Sequence, residues 1–295
     1  MTQSKRWPAL LIVLQSLIYA FGDVIAKRIY PGHSLSLMLT IRYLMASGAL
    51  AIMMGRRGLE LLRRTPLRVW LPPGIFMALS CISAQFALAH TAVTNMAFLR
   101  SLTALLTPLL ALLIFRRKYR LWHVWLQLLV LAGLYLLCAK GGLSAFGLGD
   151  AVALFSALMN ASSLVFSERA SHSMDAAVLA VGQAFCCFVF CFCWFLASGD
   201  QPDALTLPAW IGLAYLAFGC TAAGFILQNA ALRRLPSRSI AMVQCSYPVI
   251  TSALSFFFLG ELLAPAGIAG AAIILVCVFL ESFLQDKPVQ KMSAR

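Results

Sequence analysis

Charged residues are scarce in this sequence, and acidic residues are the scarcest. Asp, Glu, Lys and Arg make up 11% of the 295 residues, and only 10 residues are acidic. A soluble domain carries about 25% charged residues. Hydrophobic residues reach 61%, which excludes a soluble enzyme and a disordered tail. Apolar runs of about 20 residues recur from end to end and predict a polytopic membrane protein. None of them alternates with the period of two that a β-barrel needs.

Signatures of known catalysts and cofactors are also missing. The sequence has no HExxH, no GxSxG and no phosphate-binding loop, so ATP cannot drive the protein through its own chain. The nine cysteines lie in apolar runs without CxxC or His-paired spacing, and buried free cysteine behaves as a small hydrophobe. We therefore expect no cofactor, no metal site, no catalytic residue and no redox role for cysteine.

The apolar runs predict an all-α membrane protein with ten transmembrane helices. The predicted spans are residues 8–28, 35–54, 70–90, 95–115, 120–140, 147–168, 177–197, 209–231, 239–259 and 262–284.

The basic residues predict the orientation of these spans. Lys and Arg outnumber Asp and Glu by 23 to 10, giving a net charge of +13. Basic residues collect on the cytoplasmic side of a membrane. With the N-terminus in the cytoplasm, the loops on that side hold most of the Lys and Arg residues. We therefore predict an N-in, C-in topology, which explains the charge without a nucleic-acid partner.

Two segments of the chain resemble each other. Residues 78–92 read ALSCISAQFALAHTA and residues 217–231 read AFGCTAAGFILQNAA, with Cys81 matching Cys220 and Phe86 matching Phe225. The chain therefore divides into two five-helix halves, residues 1–141 and 142–295. Because five is odd, the halves enter the membrane from opposite sides, which is the inverted repeat typical of secondary transporters.

Several motifs resemble those of a known family. Arg42 to Ala46 matches an Arg-aromatic-Leu-x-Ala pattern, residues 87–92 lead to Pro108, and Pro248 is followed by Gly260-Glu261. In this order they resemble the EamA-type drug/metabolite transporters. The resemblance implies ten helices in two EamA repeats, an inner (plasma) membrane location, and export of metabolites such as amino acids or of drugs. The first half departs from the pattern with Arg117-Lys118 at the position of Gly260-Glu261.

Three ionisable residues lie within predicted spans, where a charge is costly. Asp23, Arg42 and Arg100 fall roughly 8–11 Å below the outer surface, at about 1.5 Å per helical residue. In a functional interpretation, the arginines bind an anionic group and Asp23 binds an ammonium group or a proton. In the alternative, they form a neutralised pair that holds helices together.

Polar and proline residues within the spans give a second set of candidates. We predict that the polar side chains face inward to bind substrate, although each of them also suits hydrogen bonding between helices. A mid-helix proline frees a carbonyl and kinks the helix, so the prolines are predicted to act in gating. The polar candidates are Tyr19, Gln85, Asn160, Gln183, Gln244 and Tyr247, and the prolines are Pro108 and Pro248.

The sequence therefore predicts a multi-pass secondary transporter that works by alternating access, and the resemblance implies that it exports small, amino-acid-like metabolites or drugs. Its partners are a small-molecule substrate and the lipid bilayer, with protons as candidate coupling ions through Asp23. It acts as a monomer or a homodimer. Two alternatives stay open. One is an intramembrane enzyme built on Asp23 and Asp150, since residues 147–150 fit a GxGD string. The other is a membrane scaffold that transports nothing.

Overall fold

The computed structural model describes residues 7–90, 96, 99–115, 121–138, 147–201, 204–259 and 265–284. All regular elements in these ranges are helices, so the prediction of an all-helical protein is confirmed for the described residues. The helices are α1 (Trp7–Ile29), α2 (Leu35–Arg64), α3 (Leu67–His90), α4 (Thr103–Phe115), α5 (Leu121–Cys138), α6 (Leu148–Ser171), α7 (Ala176–Ser198), α8 (Leu207–Leu232), α9 (Ser237–Gln244), α10 (Ser246–Leu259) and α11 (Pro265–Leu284).

The described helices have the length and surface of membrane-spanning segments. Six of them are long and apolar enough to cross a membrane, and three shorter apolar helices lie at Leu99–Phe115, Val124–Leu137 and Pro265–Glu281. Large apolar side chains also point outward from the bundle, as at Ile52 and Leu113. An outward apolar surface of this extent suits contact with lipid chains.

Helix α2 continues beyond its predicted end at residue 54. Gly55 has φ 59° and ψ −165°, and the helix resumes after it as far as Arg64. Only glycine adopts such a positive φ without steric cost, so the chain bends here. The predicted boundary therefore marks the bend. The correction is that a second helical segment follows it and carries four exposed arginines.

Two other predicted spans are irregular inside. Span 209–231 corresponds to α8, in which Tyr215–Ala223 form a π-helical section, and Thr221 donates its hydroxyl to the Leu216 carbonyl at 3.0 Å. Span 239–259 is divided at Cys245 into α9 and α10. Pro248 follows the division, and its missing N–H cannot bond the carbonyl four residues earlier. The helix therefore breaks on the N-terminal side of the proline.

Pro108 lies within α4 and also lacks the N–H that bonds the carbonyl four residues earlier, but it does not divide the helix. Its ring removes the N–H that would bond the Ala104 carbonyl. Gln127 of α5 donates its side-chain amide to that carbonyl at 2.8 Å and is 2% exposed. The Gln127 side chain thus replaces the missing backbone donor, and α4 continues past the proline as far as Phe115.

Helices from the two ends of the chain are interleaved. Helix α2 packs on α7, α3 packs on both α6 and α7, and α5 packs on α11. At the last contact, a Cβ on Gly270 would lie 2.8 Å from the Leu137 backbone nitrogen and closer still to the Gly133 carbonyl oxygen. Backbone atoms cannot move aside cheaply, so two glycines permit this close approach of α5 and α11. The interleaving encloses a cavity between the halves of the chain.

Candidate functional site

One cavity lies at the centre of the described helices. It contains about 1120 Å³ of space, including the part open to the outside, which is enough for a small organic solute. Its walls come from helices at both ends of the chain. Eight of the nine polar and charged residues predicted from the sequence line it: Tyr19, Asp23, Arg42, Gln85, Arg100, Asn160, Gln244 and Tyr247.

Three glutamines form a hydrogen-bonded cluster in the cavity wall. The Oε1 atom of Gln228 accepts from Gln244 Nε2 at 3.0 Å and from Gln15 Nε2 at 3.2 Å. Gln15 also donates to the Gly224 carbonyl at 3.0 Å. Among the described residues, the buried Gln228 Nε2 has no hydrogen-bond acceptor. A buried amide donor without an acceptor is costly, so this atom is suited to bind an acceptor group of a solute.

Gln15 was not among the predicted site residues, although the sequence contains a signal for it. Gln15, Tyr19 and Asp23 are spaced by four residues on α1, and residues at that spacing share one face of a helix. Gln15 Nε2 donates to the Tyr19 hydroxyl at 3.2 Å. A single polar face of α1 therefore lines the cavity from Gln15 to Asp23.

Arg42 is held by the irregular section of α8. Its Nε donates to the Thr221 hydroxyl at 3.0 Å, and its Nη1 is 3.4 Å from the Tyr30 hydroxyl. The guanidinium group also lies over the Tyr43 ring, 5.5 Å from the ring centroid. Because Thr221 bonds both Arg42 and the Leu216 carbonyl, the π-helical section fixes the position of this charge.

Asp23 accepts a hydrogen bond from the Tyr247 hydroxyl, which joins α1 to α10. Arg100 lies just before α4, and it lines the same cavity. Among the described residues, the cavity is thus lined by the carboxylate of Asp23 on α1 and the guanidinium groups of Arg42 on α2 and Arg100 before α4. A site with both signs of charge suits a solute that carries an anionic and a cationic group.

Gln183, which the sequence predicts to bind substrate, is not among the residues that line the cavity. Its side chain is fully buried, its Nε2 donates to Ser167 Oγ at 2.8 Å, and its Oε1 accepts from Asn229 Nδ2 at 2.8 Å. Each bond reaches a different helix. Gln183 therefore joins α6, α7 and α8, which is the interhelical role left open as the alternative.

The two prolines differ in their relation to the cavity. Pro248 directly follows Tyr247, and both are close in sequence to the break between α9 and α10. Pro108 is buried in α4, and the carbonyl it frees is bound by Gln127. A change in the backbone near Pro248 would move Gln244 and Tyr247 in the cavity wall.

Two buried carboxylates were missed because they lie near the ends of predicted spans. Glu168 accepts from the backbone N–H of Ser237 at 2.9 Å, and Glu281 accepts from Ser239 Oγ at 2.8 Å. Both act on the first turn of α9, where the helix dipole favours negative charge. They stabilise the start of α9 and do not line the cavity.

A polar cluster at the start of α2 joins this helix to Asp200, which follows the end of α7 and lies outside the spanning helices. The Asp200 carboxylate accepts from the hydroxyls of Ser34 and Ser36, each at 2.5 Å. These hydrogen bonds favour the ionised form and hold the pKa of Asp200 below its usual value. Ser34 is also the N-cap of α2, so the cluster fixes the start of that helix.

Comparison with known proteins identifies the family. The model of the EamA-like transporter family matches residues 6–139 and 147–283. The chain belongs to the EamA-like transporter family. With its apolar helices, it is a multi-pass membrane protein, and the resemblance noted in the sequence is confirmed.

One relative agrees with this assignment, and one solved structure shares the fold. An uncharacterised transporter of Archaeoglobus fulgidus is 26% identical over 211 residues, covering 71% of this chain and 67% of that protein. A protein of known crystal structure has the same fold, with a TM-score of 0.80 and 18% identity, covering 95% of this chain and all of the other.

Proposed function

We propose that the protein is a secondary transporter that carries small metabolites across the inner (plasma) membrane, in the direction of export. The observation that carries this proposal is the central cavity, whose polar and charged walls come from helices of both halves of the chain. A cavity between two interleaved halves suits alternating access, in which each side opens in turn. Family membership supports transport over an intramembrane enzyme or a scaffold.

We further propose ten spans arranged as two inverted repeats, residues 1–141 and 142–295, with both termini in the cytoplasm. The support is the double match of the family model and the excess of Lys and Arg on one side. A reporter enzyme fused after Arg295 should be active only in the cytoplasm. A thiol or tag introduced at Asp200 should react from outside, and a cytoplasmic Asp200 contradicts this topology.

The proposed solute is amino-acid-like, with a carboxylate and an amino group. Arg42 and Arg100 supply positive charge, Asp23 supplies negative charge, and the Gln228 amide supplies a free donor. Gln85 and Asn160 contribute further polar groups on α3 and α6. Charge-assisted hydrogen bonds of this kind are stronger than neutral ones, so they select the charged ends of the solute.

Protons are the proposed source of energy, with Asp23 as the coupling group. The carboxylate lies in the cavity wall and bonds the Tyr247 hydroxyl. Protonation of Asp23 removes a negative charge and turns an acceptor into a donor, which changes its bond to α10. Helix α10 contains Pro248, so the protonation state of Asp23 is coupled to the proposed gate. Pro248→Ala should insert normally but turn over more slowly.

The proposal is tested by solute counterflow in vesicles that contain the purified protein. Vesicles loaded with an unlabelled amino acid should accumulate the same labelled amino acid, and empty vesicles should not. A panel of amino acids, nucleosides and organic cations identifies the solute class. Counterflow of no member of the panel contradicts the transport function. The same vesicles with an imposed pH difference test the proton coupling.

A further inference from the structure

The three glutamine amides in the cavity wall fix each other's orientation. A carboxamide carries a donor and an acceptor, and its partners decide which of the two faces which way. Gln15 Nε2 lies 3.0 Å from the Gly224 carbonyl oxygen, which can only accept. The Gln15 Oε1 atom faces Gln244, whose Nε2 therefore donates to it at 3.3 Å. A backbone carbonyl of α8 thus sets the direction of both amides.

The third amide is oriented by the first two. Gln15 Nε2 and Gln244 Nε2 lie 3.2 and 3.0 Å from the same atom of Gln228. Because both nitrogens are donors, that atom is the acceptor Oε1, and Nε2 is the end of the amide that is left over. Within the described part of the chain the Gln228 Nε2 has no acceptor, and Gln228 is 3% exposed and lines the cavity. The bundle therefore offers a buried N–H donor of fixed orientation to a solute in the cavity.

This donor is separated from Asp23 along the polar face of α1. Gln15, which bonds Gln228, and Asp23 are eight residues apart, or about 12 Å along the helix axis at about 1.5 Å per residue. Two hydrogen bonds of about 2.9 Å leave about 6 Å between a solute atom bound at Asp23 and one bound at Gln228. An extended α-amino acid covers this distance from its amino nitrogen to an oxygen at the end of a side chain as long as that of glutamine.

We propose that the glutamine cluster of Gln15, Gln228 and Gln244 is a side-chain subsite that selects amino-acid-like solutes with an acceptor oxygen near the end of the side chain. This inference rests on the proposed function, in which the charged residues bind the amino and carboxylate groups of the solute. An apolar side chain in the subsite leaves the Gln228 donor unsatisfied, and an ammonium group brings a second donor against it. Both are disfavoured, because a buried donor without an acceptor is costly and a site built to hydrogen-bond a group rejects analogues that lack it.

The test measures the binding of three amino acids to the purified full-length protein in lipid nanodiscs by isothermal titration. L-Methionine sulfoxide differs from L-methionine by a single acceptor oxygen, and L-ornithine places an ammonium group at a similar distance from its α-amino group. The wild-type protein should bind methionine sulfoxide about tenfold more tightly than methionine. It should bind ornithine no more tightly than methionine.

Two substitutions of Gln228 separate its free donor from the rest of the side chain. Gln228→Glu keeps an acceptor for Gln15 and Gln244 and replaces the free donor with an oxygen, so it should bind ornithine more tightly than methionine sulfoxide. Gln228→Met keeps the length and removes the amide, so its affinities for methionine sulfoxide and methionine should become equal. Gln183→Glu is the matched control, because it makes the same chemical change at a buried glutamine that is not among the cavity-lining residues. It should keep the wild-type ratio.

The outcomes distinguish failure of the subsite from failure of the proposed function. Equal affinities of the wild-type protein for methionine sulfoxide and methionine overturn the subsite and leave the amino-acid-like solute intact. A wild-type preference that persists in Gln228→Met places the acceptor-binding group elsewhere and also overturns the subsite. Binding of none of the three amino acids refutes the amino-acid-like solute, and the subsite with it. Each ratio is measured within one protein, so a lower folded fraction of a variant does not alter it.

Discussion

Replacement of the Gln127 side chain should destabilise the protein more when Pro108 is present than when it is replaced by alanine. In the wild type, Gln127 Nε2 donates to the Ala104 carbonyl at 2.8 Å, at the position that the proline deprives of its backbone donor. Gln127→Leu keeps the size of the side chain and removes the donor. The buried carbonyl is then left unsatisfied, which costs about 1–3 kcal/mol in soluble proteins. Hydrogen bonds between membrane helices average about 0.6 kcal/mol with a maximum of about 1.7. We therefore expect a loss of about 1 kcal/mol.

Pro108→Ala restores a backbone N–H that can bond the Ala104 carbonyl. In that background, Gln127→Leu should cost less, and the difference between the two costs is the coupling energy of the pair. The free energy of unfolding is measured by SDS titration of the four proteins of the cycle. Gln183→Leu is the control substitution, because Gln183 bonds Ser167 and Asn229, and its effect should be equal in both backgrounds. An equal cost of Gln127→Leu in both backgrounds refutes the assigned role of Gln127.

Three further predictions follow from other contacts. Asp23→Asn keeps the shape of the residue bound to Tyr247, so it should abolish pH-driven uphill transport and retain downhill exchange, and pH-driven accumulation in this variant would place the coupling group elsewhere. Gly270→Ala should weaken the contact of α5 with α11 and lower the melting temperature, by an overpacking cost of about 1–3 kcal/mol. Gly48→Ala is the control, because its added Cβ meets nothing within 4 Å, and it should not lower the melting temperature. Equal melting temperatures of the two variants would refute the close contact. The pKa of Asp200 in the folded protein is below its usual value. Its contribution to stability is therefore fully present above the unfolded pKa of about 3.9, and it is lost as the pH falls through the folded pKa. Asp200→Asn should lack that acid-side loss in thermal unfolding, and an identical pH profile would exclude this contribution.

Much of the cavity could be predicted because charge and polarity are conspicuous in apolar helices. A polar residue in such a segment is costly unless it faces a cavity or a partner, and this rule located Asp23, Arg42 and Arg100. The rule does not tell whether such a polar side chain faces a cavity or bonds a side chain of another helix. Gln183 and Asn160 look alike in the sequence, and only the packing of α6, α7 and α8 separates them.

Other features depend on contacts between distant parts of the chain. The sequence marks Pro108 as a disruption, but the donor that repairs it comes from Gln127 on the next helix. The π-helical section of α8 has no proline, and its Thr221 contacts Arg42 of α2 across the bundle. Local periodicity predicts that these helices form, and their mutual packing decides what each side chain touches.

The central claim is that solute binds in the cavity between the halves, and a matched pair of asparagines tests it most directly. Asn160 lines the cavity, whereas Asn229 is fully buried outside it and donates to Gln183 at 2.8 Å. The measurement is the KM for counterflow of the transported solute in Asn160→Ala and Asn229→Ala vesicles, with the melting temperature of each protein. We predict a raised KM and an unchanged melting temperature for Asn160→Ala, and a lowered melting temperature and an unchanged KM for Asn229→Ala. An unchanged KM in Asn160→Ala, together with a raised KM in Asn229→Ala, would contradict the claim.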